Sequence, residues 1–413
     1  MVVSKQKKIV VGVAGGIAAY KACVLVRLFK EAGHDVTVVP TPAALNFVGA
    51  ATFEALSGNR VSTTVFDAVS EVQHVRVGQE ADLVVIAPAT ADLMARLAAG
   101  RADDLLTATC LVATCPVVIA PAMHTEMWCN PATVHNVEVL RSRGITVLDP
   151  AHGRLTGKDS GPGRLPEPEQ IANLALTVSA RGPLQRDLTG RSVLITAGGT
   201  QENLDPVRFL GNRSSGRQGF ALAEIAAQRG AAVTVIAGHT EQLHTPLGVD
   251  VVRVVSAREM AAAVEKRAAT SDIMIMAAAV ADFRPAAEAD AKMKKGQDDD
   301  ALMRLELVEN PDILASTVRR RTAGELGESV IVGFAAETGS ADHEPLELAQ
   351  AKLLRKGCDL LMCNQVGLGK VFGQLDNAGW LLAPAKDPVE VPNGTKFEVA
   401  DAIIDEIVKI LPS

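Results

Sequence analysis

Apolar residues along this chain fall into short β-branched runs, separated by longer segments in which apolar positions recur at helical spacing. Residues 9–13 form the first run, Gly15 and Gly16 make a turn, residues 18–32 suit a helix that Gly33 stops, and residues 36–39 return to a strand. That is a β-α-β unit. The same grammar restarts at residues 192–196, where Gly198 and Gly199 lead through a long loop to a helix near 219–229 and a strand at 233–236. Two independent openings predict two α/β domains. Runs at 83–87, 117–120 and 146–148, and again at 273–277, 330–334 and 360–363, have the near-continuous apolar character of central parallel strands. A helix-like segment at 168–180 closes the first half, and the polar stretch 181–189 reads as a linker between domains at 1–180 and 190–413.

Composition narrows the class. Hydrophobic residues make up 48% and charged residues 22% of 413 positions, which suits a soluble enzyme with substantial cores. The net charge of -7, with both signs interspersed, leaves no footprint for nucleic acid or an anionic membrane, so anionic ligands must be met by local clusters. Six cysteines show neither C-x-x-C pairs nor zinc spacing and read as reduced, cytoplasmic thiols. Lys5, Lys7 and Lys8 ahead of an apolar run superficially resemble a signal peptide, but Gly12, Gly15 and Gly16 interrupt that run. No uninterrupted apolar stretch of about 20 residues exists to span a membrane.

Gly15, Gly16, Ile17 and Ala18 put small residues and free backbone N–H groups at a strand-to-helix turn, where a phosphate can bind or the turn can simply pack. Thr41 and Ala43 follow the next strand, and Pro88, Ala89 and Thr90 a later one, with Gly100 to Leu106 beyond. Small and hydroxyl residues at successive strand ends suit a flat ring with a ribityl phosphate. In these segments, in Met123, His124, Met127 and Trp128, and in Gly161 to Glu167, the first half resembles the flavin-dependent cysteine decarboxylases. The resemblance covers most of residues 8–170 and implies a flavodoxin-like FMN domain. It implies FMN contacts at Gly15, Gly16, Ile17, Ala18, Thr41, Ala43, Pro88, Ala89, Thr90 and Met123, and an active-site histidine at His74, whose imidazole titrates near neutrality. Two positions depart from the family pattern. His124 stands where an Asn usually receives a substrate carboxylate, and Gly157 stands where the flap usually carries a cysteine acid. Lys158, Asp159 or a bound water is the expected replacement for that acid.

In the second half, Gly198 to Glu202 end a strand and Gly211 to Gly219, with Asn212, Ser214 and Ser215, open a helix as a polar cradle. No compact G-x-G-x-x-G with a following acidic residue is present. With Ala277 to Pro285, Lys292, Asn310 to Leu314, and Gly333 to Thr338, residues 187–399 resemble phosphopantothenate–cysteine ligase of the CTP-using bacterial kind. That resemblance implies a mobile-loop lysine at Lys292, triphosphate contacts from Lys352 and Lys356, and an Asn for the acyl-cytidylate at Asn212. It also implies a cytidine site at Ala278, Pro311, Asp312, Ile313, Leu314 and Phe334, and Asp282 near Mg2+ or the cytidine. Lys352 and Lys356, four apart on a predicted helix, share one face. The two halves together resemble the bifunctional flavoenzymes of coenzyme A synthesis. The implied substrates are 4'-phosphopantothenate, L-cysteine and CTP, with flavin-domain trimers and ligase-domain dimers that could combine into a dodecamer. A two-domain nucleotide-dependent oxidoreductase and a flavin-binding regulator without ligase activity are the competing readings.

Overall fold

The computed structural model describes residues 6–62, 73–154, 160–294, 296, 304–337, 345–365 and 376–412. The chain forms two compact units, Met1–Gln185 and Arg186–Ser413.

The first unit contains β1 (Lys8–Val13), α1 (Tyr20–Glu31), β2 (Asp35–Pro40), α2 (Ala50–Ser57), α3 (Gln73–Glu80), β3 (Leu83–Ala89), α4 (Ala91–Ala98) and α5 (Leu105–Val112). It continues with β4 (Val117–Pro121), α6 (Thr125–Trp128), α7 (Pro131–Ser142), β5 (Thr146–Val147), β6 (Ala151–Arg154), β7 (Ser160–Arg164) and α8 (Pro168–Arg181). Five strands form one sheet in the order β2-β1-β3-β4-β5, parallel at every pairing. Every residue of β3 is buried, as expected for a central strand covered on both faces. One group of helices, α1 with α2 and α8, packs together, and a second group joins α4 with α5 and α7. The chain leaves β1 toward β2 and then returns to place β3 on the other side. That reversal opens a crevice at the carboxyl ends of β1 and β3, the usual ligand position in such sheets. This is the flavodoxin-like order. α4 and α5 start where the sequence offers caps: Thr90 accepts from Leu93 N–H, and Asp104 and Thr107 form a reciprocal capping box.

The second unit contains β8 (Ser192–Ala197), β9 (Gln201–Asn203), β10 (Phe209–Gly211), α9 (Arg217–Gln228), β11 (Ala232–Ala237), β12 (Val249–Arg253), α10 (Ala257–Ala268), β13 (Ile273–Met276) and β14 (Phe283–Pro285). Then come β15 (Leu307–Glu309), α11 (Ile313–Thr322), β16 (Val330–Glu337), α12 (Pro345–Lys356), β17 (Leu360–Gln365), β18 (Asp376–Leu382), β19 (Val389–Thr395) and α13 (Lys396–Val408). Eight strands run in the order β12-β11-β8-β13-β16-β17-β18-β19, parallel as far as β17, with β18 and β19 added antiparallel. The sequence pattern did not announce this last pair. Gly379 interrupts β18, and β19 carries Pro392 and Gly394 on an edge where only one face needs apolar residues. The segment expected as a plain loop before the second helix holds the small ribbon β9/β10, and α9 starts at Arg217.

α9 is buried from Gly219 to Gln228 because it packs on β8 and β11 and also against α13. Arg229 follows at its carboxyl end, with only 5% of its side chain exposed, and reaches Asp187 at 2.5 Å, Asp405 at 2.6 Å and Asp401 at 3.0 Å. Three carboxylates answer one buried guanidinium that also sits favourably at the helix terminus.

Candidate functional site

In the first unit, four strand ends are tied to one another by backbone hydrogen bonds. Ala14 N–H donates to Pro88 C=O at 3.0 Å, Thr41 N–H to Val13 C=O at 2.8 Å, and Ala122 N–H to Ala89 C=O at 2.9 Å. Gly15 lies so close to the loop after β2 that a Cβ there would stand 2.5 Å from Ala43 Cβ, while one at Gly16 would meet only Thr90 Cγ2 at 3.9 Å. The structure therefore brings Gly15, Gly16, Ala43 and Thr90 to one rim, at the sheet's switch point. Thr41 is buried beneath them, with its Oγ1 accepting from Ala44 N–H. Pro88 and Ala89 are buried in the sheet, Ala18 is half-buried, and Ile17 is 76% exposed.

Met123 is held to the β6/β7 hairpin by its N–H donating to Gly163 C=O at 2.9 Å. His124 follows it, exposed, and caps the short α6 without a side-chain hydrogen bond. Glu167, at the end of this hairpin segment, joins Lys21 of α1 at 2.9 Å and Arg164 at 2.7 Å, fixing the hairpin's exit against the first helix. His74 falls in α3, but its side chain lies outside the described residues, as do Lys158 and Asp159 entirely. The acidic pair after Gly100, expected among the ring-binding loops, is engaged internally: Arg96 reaches Asp104 at 2.7 Å and Asp103 at 3.0 Å.

In the second unit a cavity of about 990 Å³ opens at the carboxyl ends of β8, β13 and β16. Asn212, Ala278, Asp282, Pro311, Asp312, Ile313, Leu314, Phe334, Lys352 and Lys356 all line it, although they come from segments far apart in sequence. A neighbouring cavity of about 430 Å³ shares Asn212, Arg213, Ser214 and Ser215 with it. Asn212 is anchored between the two by its Nδ2, which donates to Val280 C=O at 3.0 Å. Gly216 caps α9 with φ +76, and a Cβ there would collide with Thr240 at 2.5 Å, so the turn that aims the helix's first N–H groups at the cavity requires glycine.

Asp312 does more than its sequence position suggested. Its carboxylate caps α11 by accepting from Ala315 N–H and pairs with the Lys356 ammonium. Burial resists its ionisation, but Lys356 and the Ala315 N–H prevail and hold the carboxyl below its usual range.

Lys292 is exposed and is not among the residues lining either cavity. The chain beside it is braced: the buried Asp205 accepts from Met293 N–H, and Arg208 donates to Met293 C=O. Burial opposes the Asp205 charge, yet the N–H groups of Val207, Arg208 and Met293 lower its pKa. Sequence reasoning missed this brace, for which the Asp-Pro turn at Asp205 was the available signal. It also missed Lys396 and Asn377 in the wall of the larger cavity.

Among the described residues no group of three or more His, Cys, Asp or Glu side chains could hold a metal ion. Asp282 is an exposed carboxylate on the cavity wall, as are Glu309 and Asp312.

Residues 2–178 match the family model described as Flavoprotein, and residues 188–411 match that of the DNA/pantothenate metabolism flavoprotein C-terminal domain. The coenzyme A biosynthesis bifunctional protein CoaBC of Mycobacterium bovis is 60% identical over 407 residues, covering 98% of this chain and 97% of that protein. The chain belongs to the bifunctional coenzyme A biosynthesis protein family. The protein of the same name from Mycolicibacterium smegmatis is 59% identical over 412 residues, covering 99% of each chain. A solved C-terminal domain of coenzyme A biosynthesis bifunctional protein CoaBC is 33% identical, with a TM-score of 0.45, covering 55% of this chain and 98% of that one. Membership across nearly the whole length leaves the oxidoreductase reading without support, and the first unit is a flavoprotein domain. No helix among the described residues is long and apolar enough to cross a membrane.

Proposed function

We propose that this chain joins L-cysteine to 4'-phosphopantothenate at the expense of CTP in its second unit and decarboxylates the product with FMN in its first. The observation that carries the ligase half is the single cavity gathering Asn212, Asp282, Phe334, and Lys352 with Lys356 from four separate segments. Attack of a carboxylate on the nucleotide's α-phosphate concentrates negative charge, and fixed cations with helix N–H groups stabilise it. Lys352 and Lys356 hold the triphosphate, Phe334 and residues 311–314 wall the cytidine, and Asn212, shared by both cavities, steadies the acyl-cytidylate. Ala278 lies on the same wall, and Asp282 takes the Mg2+ that accompanies the phosphates. Lys292 swings in from its exposed loop to meet the charge of the reacting phosphate.

In the first unit the rim at Gly15, Gly16, Ala43 and Thr90 fits a phosphate-bearing planar ligand, because it offers backbone N–H groups where any side chain at Gly15 would collide. FMN held there would supply the two-electron redox chemistry that carboxylate loss requires. The chain's own residues orient the substrate. Met123 packs at the rim, exposed His124 receives the carboxylate, and His74 moves a proton. Lys158, Asp159 or a water they hold supplies the proton that the family's flap cysteine would give. Ile17, just before α1, and Tyr20 and Val24 within it, 76%, 60% and 43% exposed, form an apolar stripe that self-association would cover, in keeping with flavin-domain trimers beside ligase-domain dimers. Six free thiols fit a reducing cytoplasm.

Two measurements test this reading. Protein purified under native conditions should be yellow and release FMN, and CMP should form only when phosphopantothenate and cysteine are both supplied. A flavin-binding regulator would give the colour without CMP.

A further inference from the structure

We propose that Lys396, with Asn377 beside it, forms the subsite for the amino-acid cosubstrate of the ligation, Lys396 receiving its α-carboxylate and Asn377 its amine. The inference rests on the ligase reading of the larger cavity and goes beyond it by placing the second substrate.

Both residues line that cavity, and both are nearly sealed from solvent, Lys396 at 8% exposure and Asn377 at 3%. The strand pairing and one glutamine bring them to the same region of the wall. β18 and β19 pair Asn377 with Gly394 and Asp376 with Thr395, and α13 begins at Lys396, the residue after Thr395, one step along the ladder from Asp376. Gln218, in the first turn of α9, links them: its Nε2 donates to Lys396 C=O at 3.1 Å, and its Oε1 accepts from Asn377 Nδ2 at 3.1 Å. Asn377 Nδ2 also donates to Asn364 Oδ1 at 3.1 Å. Turning the Asn377 amide over would set its oxygen against those two acceptors, so the Oδ1 faces elsewhere. There it finds no hydrogen-bond partner among the described residues.

A buried acceptor lacking a donor and a buried lysine in the same cavity wall call for a ligand that presents both a donor and an anion. A triphosphate tail has no donor at neutral pH, whereas an amino acid has both groups on one carbon. The phosphate-binding cations lie on another element, Lys352 and Lys356 on α12. Burial and Arg217 oppose the Lys396 charge while Asp376 favours it, and the ammonium is pushed down to about 8, so an incoming carboxylate would strengthen the charged form.

The test uses the full-length protein and CMP release at saturating CTP and phosphopantothenate. Lys396→Met and Asn377→Ala should each raise the KM for cysteine about tenfold or more, with the KM for CTP unchanged within about twofold. Cysteamine, which lacks the carboxylate, gives a readout that a merely structural role would not move. The preference for cysteine over cysteamine in kcat/KM should fall about tenfold in Lys396→Met and persist in Lys396→Arg. Should Lys396→Met fail to fold, Asn377→Ala and Lys396→Arg carry the comparison. An unchanged cysteine KM and cysteamine discrimination, or a rise in the CTP KM instead, would overturn the assignment. Single-turnover pyrophosphate release by the wild-type protein without cysteine separates the layers. Its absence overturns the ligase reading and this subsite with it, while its presence alongside an unchanged cysteine KM overturns the subsite alone.

Discussion

Replacing Gly15 by Ala tests the flavin rim where its geometry is tightest. The added Cβ would sit 2.5 Å from Ala43 Cβ, 2.8 Å from Ala43 C and 3.0 Å from Ala43 O, so two of its three neighbours are backbone and cannot rotate away. Ordinary carbon contacts lie at about 3.5–4.0 Å, and the loops after β1 and β2 must therefore part by roughly 1 Å. Overpacking of this kind costs about 1–3 kcal/mol. If the strain falls on the rim, FMN binding weakens by roughly 5- to 150-fold, since about 1.4 kcal/mol is tenfold. Gly49→Ala is the matched control, because a Cβ there meets nothing within 4 Å and its φ is -69. The assay is flavin absorbance of the purified variants, followed by FMN titration of the stripped proteins. Full flavin occupancy and unaltered affinity in Gly15→Ala would refute the claim that these two loops together hold the cofactor.

Other perturbations reach the remaining parts of the account. Lys292→Gln should spare substrate binding more than turnover, lowering the kcat of CMP release; an unaltered kcat would count against the mobile-loop role. Asp312→Asn keeps the α11 cap but removes the ion pair with Lys356, so the KM for CTP should fall about two- to fivefold. A rise would mean that Asp312 positions Lys356 for phosphate rather than competing with it. Arg229→Met strands three carboxylates around a buried position and should cost about 3–5 kcal/mol, read as a lower thermal midpoint of the second unit. Because the folded state lowers the Lys396 pKa to about 8 from 10.5, the unfolded chain binds more protons between those values. The Lys396 contribution is thus unfavourable below about pH 8 and is relieved as pH rises toward 10.5. Wild type should gain up to about 3 kcal/mol relative to Lys396→Met across that window in denaturant titrations.

Much of this architecture was legible because parallel sheets mark themselves. Strands such as β3 and β13, buried throughout, appear as unbroken apolar runs, and glycines at strand ends announce the turns. The antiparallel pair β18/β19 was not legible, since an edge strand with one wet face and an internal glycine resembles a loop. The cavity gathers ten of the candidate residues named from the sequence. Residues lying outside any motif were missed. Lys396 belongs to no quoted motif, and the structure places it after the Thr395 helix cap, in the wall of the cavity. Asp205 was missed for a related reason, because its three backbone partners include Met293, a long-range contact that no local pattern encodes.

The most direct test of the central claim is a mass analysis of every product formed from 4'-phosphopantothenate, L-cysteine, CTP and Mg2+ by the flavin-bearing protein. The account predicts equal amounts of CMP and pyrophosphate, and 4'-phosphopantetheine as the final thiol. No CMP would contradict the two-step assignment, and a thiol product lighter by one H2, released as the enethiol, would contradict the proton donor placed on the flap.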